Sequence, residues 1–223
     1  MPGSRTALVA GATGLVGRAL AQVLLEGDAY GRIVTLARSE RVQHDARHRP
    51  LVVDYDRLPA LALPMDGADV FCALGTTMKV AGSREAFRRV DFTYVVRLAA
   101  VAATGGARSF SLVSALGADP TSRIFYNRVK GEMEQAVAAL GFDSVLIARP
   151  SLLAGDRSAL GQPPRTAERL ALWLSTPFAG LIPAGVRPIK ADVVARAMIQ
   201  GMRQPPAGVR IIESGELQEL GAE

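Results

Sequence analysis

The sequence has a single cysteine, Cys72, among its 223 residues. One cysteine cannot form a disulfide within the chain, so a disulfide-stapled secreted domain is excluded and a cytoplasmic location is expected. The first residues lead directly into an apolar segment and carry no signal-peptide pattern. No apolar stretch approaches the roughly 20 residues that span a bilayer, so we expect no contact with a membrane.

Lysine is also scarce, with Lys79, Lys130 and Lys190 as the only three. Arginine supplies the other 23 of the 26 basic residues, and the net charge is +5. A basic balance favours anionic ligands such as phosphates. The arginines are scattered, and no RNP, KH or helix-turn-helix pattern is present, so we expect a small-molecule substrate rather than nucleic acid. The sequence leaves open whether the protein is a monomer or a homo-oligomer.

Short apolar segments alternate with helical patterns along most of the chain. The predicted strands are residues 7–10, 33–36, 51–53, 70–74, 109–113, 145–148 and 209–212, and the predicted helices are 14–25, 83–104, 122–140 and 191–202. Apolar strands separated by helices indicate a parallel sheet covered on both faces. We therefore predict an α/β fold, a Rossmann-type doubly wound parallel sheet, in a single domain spanning residues 1–223.

The amino-acid composition changes after Pro150: residues 155–190 are rich in glycine, proline and arginine. We predict that this segment forms a small C-terminal cap facing the substrate. The alternative is a plain connection between two elements of the sheet domain.

A glycine-rich turn, Gly11-Ala12-Thr13-Gly14-Leu15-Val16-Gly17, follows the first predicted strand and opens the first predicted helix. This is the context that a dinucleotide-binding turn requires. Gly11 permits the tight turn, Gly14 lets the backbone approach a pyrophosphate, and Gly17 allows the helix to pack on the strand. The pyrophosphate would then lie at the helix N-terminus, where free N–H groups and the helix dipole favour an anion.

The residues after the next strands refine the predicted ligand. NAD-binding folds usually place an acid after the second strand, but this chain has Arg38 and Ser39 there, which suit the 2′-phosphate of NADP(H). NAD(H) remains the alternative, with Arg38 as a surface arginine. Asp54, after the third strand, could accept a hydrogen bond from adenine or could simply form a turn. Gly75, in Leu74-Gly75-Thr76, would allow the chain to pass close to the ribose.

Ser114, Tyr126 and Lys130 form a candidate catalytic set. Tyr126 and Lys130 are four residues apart on a predicted helix and therefore share a face. A tyrosine pKa near 10 makes a poor base at neutral pH, and a nearby ammonium lowers it by stabilising the phenolate. Tyr126 could then exchange a proton with the substrate while Ser114 holds the carbonyl oxygen. The alternative is an exposed tyrosine and a solvated lysine on an ordinary helix.

These residues resemble the atypical branch of the short-chain dehydrogenase/reductase superfamily. The Tat-interacting-protein oxidoreductase group, which belongs with NAD(P)-binding epimerase-like proteins, is similar in residues 72–77, 89–91, 114–118 and 126–132 and in Arg149-Pro150. The resemblance implies that Ser114, Tyr126 and Lys130 occupy the catalytic positions and that Pro150 lines the nicotinamide end. The candidate cofactor-binding residues are thus Gly11, Ala12, Thr13, Gly14, Leu15, Val16, Gly17, Arg38, Ser39, Asp54, Leu74, Gly75, Thr76, Lys130 and Pro150.

We therefore expect an NADP(H)-dependent oxidoreductase that acts on a small carbonyl or alcohol, and no metal. The alternative is an NADP(H)-binding redox sensor or regulatory protein with little turnover, which the resemblance suggests. Epimerase or dehydratase chemistry on a sugar nucleotide is a weaker third possibility, because the C-terminal part is short.

Overall fold

The computed structural model describes residues 5–37, 45–58, 61–154, 183 and 185–222. Within these residues the strands are β1 (Thr6–Ala10), β2 (Arg32–Ala37), β3 (His48–Val52), β4 (Asp69–Cys72), β5 (Ser109–Val113), β6 (Ser144–Arg149), β7 (Leu153–Ala154), β8 (Ile189–Lys190) and β9 (Gly208–Glu213). The helices are α1 (Leu15–Glu26), α2 (Met78–Ala81), α3 (Arg84–Arg88), a π-helical turn (Arg89–Tyr94), α4 (Val95–Thr104), α5 (Phe125–Ala138), α6 (Ala191–Arg203) and α7 (Ser214–Leu220).

Seven strands form one parallel sheet in the order β3-β2-β1-β4-β5-β6-β9. This confirms the predicted doubly wound α/β fold. The chain moves outward from β1 to β3 and then crosses to the other side of β1 at β4. Ligands of such sheets bind at the carboxyl ends of the strands where the order reverses, which here is the gap between β1 and β4.

Helices cover both faces of the sheet because its central strands are buried on both sides. On one face, α1, α6 and α7 pack apolar residues such as Leu20, Met198 and Leu217 against the strands. On the other face, α4 and α5 contribute residues such as Leu98 and Met133. The two cores hold the strands in register, and so fix where the strand ends present their loops.

The long helix predicted at 83–104 is divided into α3, the π-helical turn and α4. Ser83 begins α3 by accepting a hydrogen bond from the Ala86 N–H at 3.0 Å. The π-helical turn brings Asp91 into the interior, where it is fully buried. Turns of this kind are often found at functional sites.

The helix predicted from residue 122 begins only at Phe125. The Asp119 carboxylate accepts hydrogen bonds from the N–H and hydroxyl of Thr121, and the Ser122 hydroxyl accepts one from the Ile124 N–H. Short polar side chains that bind nearby backbone in this way favour turns over helix, which delays the helix start.

Most of the predicted cap, residues 155–182 and 184, lies outside the described residues, so the cap stays a prediction. At its two flanks, β7 and β8 pair in parallel as a separate two-stranded sheet. Among the described residues, no helix combines the length and apolar character needed to cross a membrane.

Candidate active site

The glycine-rich turn lies at the carboxyl end of β1, as predicted, and leads into α1. Gly11 has a φ of +82°, and a Cβ on it would lie 2.5 Å from the Ala73 carbonyl oxygen. A Cβ on Gly17 would lie 2.0 Å from the Gly11 carbonyl oxygen, so both positions require glycine for packing. At Gly14 a Cβ would meet only the Gly11 carbonyl oxygen at 3.4 Å, which is ordinary contact. The fold therefore does not require glycine at Gly14.

The N-terminus of α1 is suited to hold an anion such as a pyrophosphate. Gly14 is its N-cap and provides no side-chain hydrogen bond, and the first turn carries no acidic residue. The first N–H groups of the helix therefore keep their capacity to bind an external acceptor. The run of small and apolar residues from Ala12 to Val16 leaves this turn free of charged side chains that would repel phosphate.

Arg18, which sequence reasoning missed, adds a cation beside this turn. Its Nε donates to the Thr13 carbonyl oxygen at 3.1 Å, which holds the guanidinium against the glycine-rich segment. No spacing rule pointed to it, because a single arginine in the first turn of a helix is common.

Of the residues predicted to contact the adenosine end, the structure describes Asp54 but not Arg38 or Ser39. Arg38 and Ser39 lie outside the described residues, so their assignment to a 2′-phosphate stays a prediction. Asp54 is described; it is 59% exposed and pairs with Arg57 at 3.9 Å. Its carboxylate also accepts a hydrogen bond from the Asp56 N–H at 2.9 Å, which is the turn geometry considered as the alternative. The adenine contact of Asp54 stays a prediction.

Ser114 and Pro150 lie side by side at the ends of β5 and β6. The Ser114 N–H donates to the Ala148 carbonyl oxygen at 2.7 Å, and the Leu116 N–H donates to the Pro150 carbonyl oxygen at 2.9 Å. The Ser114 side chain is 4% exposed, and its hydroxyl has no hydrogen-bond partner in the described structure. Ser111, Ser144 and Ser214 also have buried hydroxyls without a partner in the described structure, so the assignment of Ser114 to the substrate depends on its place after β5.

Lys130 forms a buried ion pair with Asp91, another residue that sequence reasoning did not select. Lys130 Nζ lies 2.8 Å from Asp91 Oδ1, and the two side chains are 4% and 1% exposed. Asp91 Oδ2 accepts a hydrogen bond from the Thr76 N–H at 2.8 Å. A Cβ on Gly75 would lie 3.2 Å from Asp91 Oδ1 and 3.7 Å from Lys130 Nζ. The Leu74-Gly75-Thr76 segment is thus brought against the lysine.

The charge of Lys130 is maintained by these neighbours. Burial would by itself lower the pKa of Lys130, but the Asp91 carboxylate, followed by the Tyr126 phenol, raises it above its usual value. The nearby thiol behaves differently: burial raises the pKa of Cys72 to about 12. Cys72 is therefore a protonated thiol at neutral pH, and it is not a nucleophile.

Tyr126 is half-buried at the start of α5, one turn before Lys130. Its ring packs on the buried Phe87 ring of α3 with a centroid distance of 5.4 Å. The loop after Ser114 reaches the same helix turn, since a Cβ on Gly117 would lie 3.1 Å from the Asn127 side-chain nitrogen. Tyr126 and Lys130 thus lie one turn apart on α5, and the loop after Ser114 contacts the first turn of that helix at Asn127.

Comparisons with known proteins concern the family of the chain. The model of a family described as NAD(P)H-binding matches residues 11–167. Protein HTATIP2 of Rattus norvegicus is 32% identical over 226 residues, covering 98% of this chain and 90% of that protein. Protein FMP52, mitochondrial, of Eremothecium gossypii is 32% identical and covers 96% of each.

Solved structures share the fold at low identity. A short-chain dehydrogenase/reductase of unknown function from Caenorhabditis elegans, with cofactor, has a TM-score of 0.69 at 14% identity and covers 98% of this chain and 96% of that one. MoeE5 in complex with UDP-glucose and NAD has a TM-score of 0.66 at 16% identity, covering 97% and 81%. These likenesses concern the fold alone.

Proposed function

Because the chain belongs to the NAD(P)H-binding family, in the atypical short-chain dehydrogenase/reductase group of HTATIP2 and FMP52, we propose that it is an NADP(H)-dependent oxidoreductase acting on a small carbonyl or alcohol. The observation that carries the proposal is the buried Lys130–Asp91 pair one helix turn from Tyr126, on a helix whose first turn contacts the loop after Ser114. Desolvating the two charges of a buried ion pair costs free energy, so the pair is weak evidence for a stabilising role. A role of Lys130 in the reaction accounts better for its burial.

Each residue has a separate task in this reaction. The α1 N-terminus and Arg18 bind the pyrophosphate, and Lys130 holds the ribose next to the nicotinamide. NADPH, when bound, supplies the hydride. Ser114 donates a hydrogen bond to the substrate carbonyl oxygen, and Tyr126 transfers its phenolic proton to that oxygen as it becomes an alcohol. The Lys130 ammonium stabilises the phenolate left behind until solvent returns the proton.

The first prediction tests the role of Tyr126. Tyr126→Phe removes the proton donor and keeps the ring on Phe87, so turnover of a carbonyl substrate should fall about 10²–10⁴-fold while NADPH affinity is retained. A screen of NADPH oxidation with aldehydes, ketones and quinones gives the substrate, and fluorescence titration gives the affinity. Tyr30→Phe is the control, because it removes a buried hydroxyl bonded to Asp69 instead. If no carbonyl is reduced by the unmodified protein, the enzymatic proposal is wrong.

The second prediction tests the preference for NADP(H), which rests on Arg38. Arg38→Asp replaces a cation with a repelling carboxylate, so NADPH affinity should fall about 10- to 100-fold and NADH affinity much less. Arg32→Asp is the matched control, since Arg32 is exposed at the opposite end of the same strand. Equal losses for both cofactors would exclude a 2′-phosphate contact and favour NAD(H).

A regulatory protein that binds NADP(H) with little turnover is the second candidate. The observation that favours it is again Asp91, because a carboxylate 2.8 Å from Lys130 compensates part of the charge available to a Tyr126 phenolate. In that case NADPH binding persists, no carbonyl is reduced, and Tyr126→Phe leaves the cellular phenotype unchanged. A sugar-nucleotide epimerase is a weaker proposal, since only fold likeness supports it.

Location and partners complete the proposal. The single buried Cys72 supports a reducing cytoplasm, although the fungal relative's name carries the word mitochondrial. Imaging of a fluorescent fusion distinguishes the two compartments. We propose a small-molecule substrate as the principal partner, without nucleic acid or membrane.

A further inference from the structure

Four large apolar side chains are exposed on the segments around the Lys130–Tyr126 turn. Two lie on α2 after the end of β4, one follows Ser114 by two residues, and one precedes Tyr126 by two. They are Met78, Val80, Leu116 and Ile124, with exposed fractions of 37%, 56%, 39% and 62%. Single exposed apolar residues are common, but a group of them beside a reaction site marks a binding surface.

Hydrogen bonds hold these segments close to the site. The bond from the Thr76 N–H to Asp91 fixes the start of the α2 segment beside Lys130. The bond from the Leu116 N–H to the Pro150 carbonyl oxygen fixes the loop after β5. Two of the segments that carry the apolar side chains are therefore held against residues of the candidate site.

Aromatic contacts lie between a cation and the segments that carry the exposed rim, which is formed by Met78, Val80, Leu116 and Ile124. The Phe87 ring packs on Tyr126 at a centroid distance of 5.4 Å and on Phe125 at 5.8 Å. The Arg84 guanidinium lies over the Phe125 ring, 5.2 Å from its centroid. Arg84 is thus two ring contacts and one cation–π contact away from the proposed proton donor.

Three exposed cations on the same segments lack a carboxylate partner. In the part of the chain that the structure describes, none of them forms an ion pair, whereas nearby Glu132 pairs with both Arg88 and Arg128. The three are Lys79, Arg84 and Arg123. Three acids lie between Lys79 and Arg123 in sequence: Glu85, Asp91 and Asp119. Asp91 is paired with Lys130, so the three cations exceed the two remaining acids by one charge.

We infer that the substrate class is a carbonyl compound with an apolar body and a carboxylate group, the apolar body lying against the exposed rim and the carboxylate meeting Arg84 or Arg123. This inference rests on the proposed function. One such molecule covers apolar surface and supplies the missing acceptor for a guanidinium, which binds carboxylates in a forked geometry. A neutral carbonyl compound would satisfy only the first requirement.

The experiment compares an acid with its neutral ester. The probes are 4-oxo-4-phenylbutanoate and its methyl ester, and the readout is the ratio of the two kcat/KM values for NADPH-dependent reduction. We expect the unmodified protein to favour the acid about tenfold, and Arg84→Ala with Arg123→Ala to lower that ratio about fivefold. Arg203→Ala is the matched control, because this exposed arginine ends α6 away from the site, and it should keep the ratio.

Each outcome decides between alternatives. Equal reduction of acid and ester, or a ratio that survives the double substitution, overturns the inferred substrate class. If neither probe is reduced, melting of the NADPH-bound protein decides the inference: it stands only if the acid raises Tm more than the ester and the double variant abolishes the difference. The proposed function is judged separately, by the screen of aldehydes, ketones and quinones. A third outcome would assign the rim to a lipid surface instead. In that case the protein sediments with phosphatidylglycerol vesicles, the double variant does not, and the protein shows no preference for the acid over the ester.

Discussion

Asp91 is the residue on which the chemistry of the site depends most. Its carboxylate faces Lys130 Nζ at one oxygen and the Thr76 N–H at the other. It therefore both keeps the ammonium charged in a buried place and fixes the loop that would pass beneath a ribose. A buried lysine without such a partner would lose its proton easily.

The third prediction follows from this pair. Asp91→Asn leaves a buried ammonium without its counter-charge, and unfolding free energy at pH 7 should fall by about 3 kcal/mol. The raised pKa of Lys130 stabilises the native state below the unfolded pKa near 10.4, and that stabilisation is lost as pH rises through the folded pKa. The variant instead carries a lysine whose burial penalty is relieved at high pH. The difference in unfolding free energy between the variant and the unmodified protein, measured by urea unfolding, should thus become smaller above about pH 10.

Asp192→Asn is the control for this measurement. Its pair with Arg196 is 46% and 44% exposed, so its loss should cost under about 1 kcal/mol at any pH. A pH-independent gap for Asp91→Asn would mean that its hydrogen bond to Thr76, rather than the charge, stabilises the fold.

At the scale of elements, the β1–α1 turn separates a packing requirement from a binding requirement. Position 17 requires glycine because a Cβ there would lie 2.0 Å from the Gly11 carbonyl oxygen. At Gly14, the described residues leave room for a methyl group. A bound pyrophosphate would approach the backbone at Gly14, where a methyl group would obstruct it.

The fourth prediction contrasts these two glycines. Gly14→Ala should keep Tm close to that of the unmodified protein but weaken NADPH binding at least about tenfold, because the methyl group obstructs backbone approach. Gly17→Ala should lower both Tm and affinity, by about 1–3 kcal/mol of stability from overpacking. Calorimetry and fluorescence titration measure the two quantities. Intact NADPH affinity in Gly14→Ala would show that the ligand does not lie over this turn.

The elements that the sequence predicted well are those whose signal is local. β5 was predicted with its observed bounds because Phe110, Leu112 and Val113 favour a strand and because glycines on both sides, Gly105-Gly106 and Gly117, limit its length. The π-helical turn was missed because its hydrogen bonds shift by one residue without any change in composition. Asp91 lies in the segment 89–91 that carries the family resemblance, but it was not selected as a site residue, because the pattern of a regular helix does not show that it faces Lys130. β7 and β8 have two residues each, which is too few for a pattern.

At the scale of the whole molecule, the sheet has one end for chemistry and one for stability. At the amino ends of the strands, the fully buried Asp69 accepts hydrogen bonds from Arg5, Tyr30, Arg108 and Ser109. Asp69 begins β4, Ser109 begins β5, and Arg5, Tyr30 and Arg108 lie just before β1, β2 and β5. Arg5 also donates to the Met202 carbonyl oxygen of α6 at 3.0 Å. One carboxylate thus ties the centre of the sheet to a covering helix.

The fifth prediction concerns this carboxylate. Burial would raise the pKa of Asp69, but the hydrogen bonds from Arg108, Arg5, Ser109 and Tyr30 lower it below its usual value. Asp69→Asn should therefore cost about 3 kcal/mol of unfolding free energy at pH 7. This loss should shrink as pH falls from about 4 through the lowered native pKa, because the unfolded chain then binds a proton that the native carboxylate does not. NADPH affinity of the folded variant should not change, since the site is at the opposite strand ends. Weakened binding would mean that the two ends are coupled.

The π-helical turn also has a consequence for comparing relatives. Such a turn accommodates one residue more than an α-helix of the same rise, and each residue advances an α-helix by about 100°. A homologue with an uninterrupted helix in this region would align to this chain only with a one-residue gap inside a helix. That gap, normally taken for an alignment error, would identify the homologues in which the lysine must find a different counter-charge.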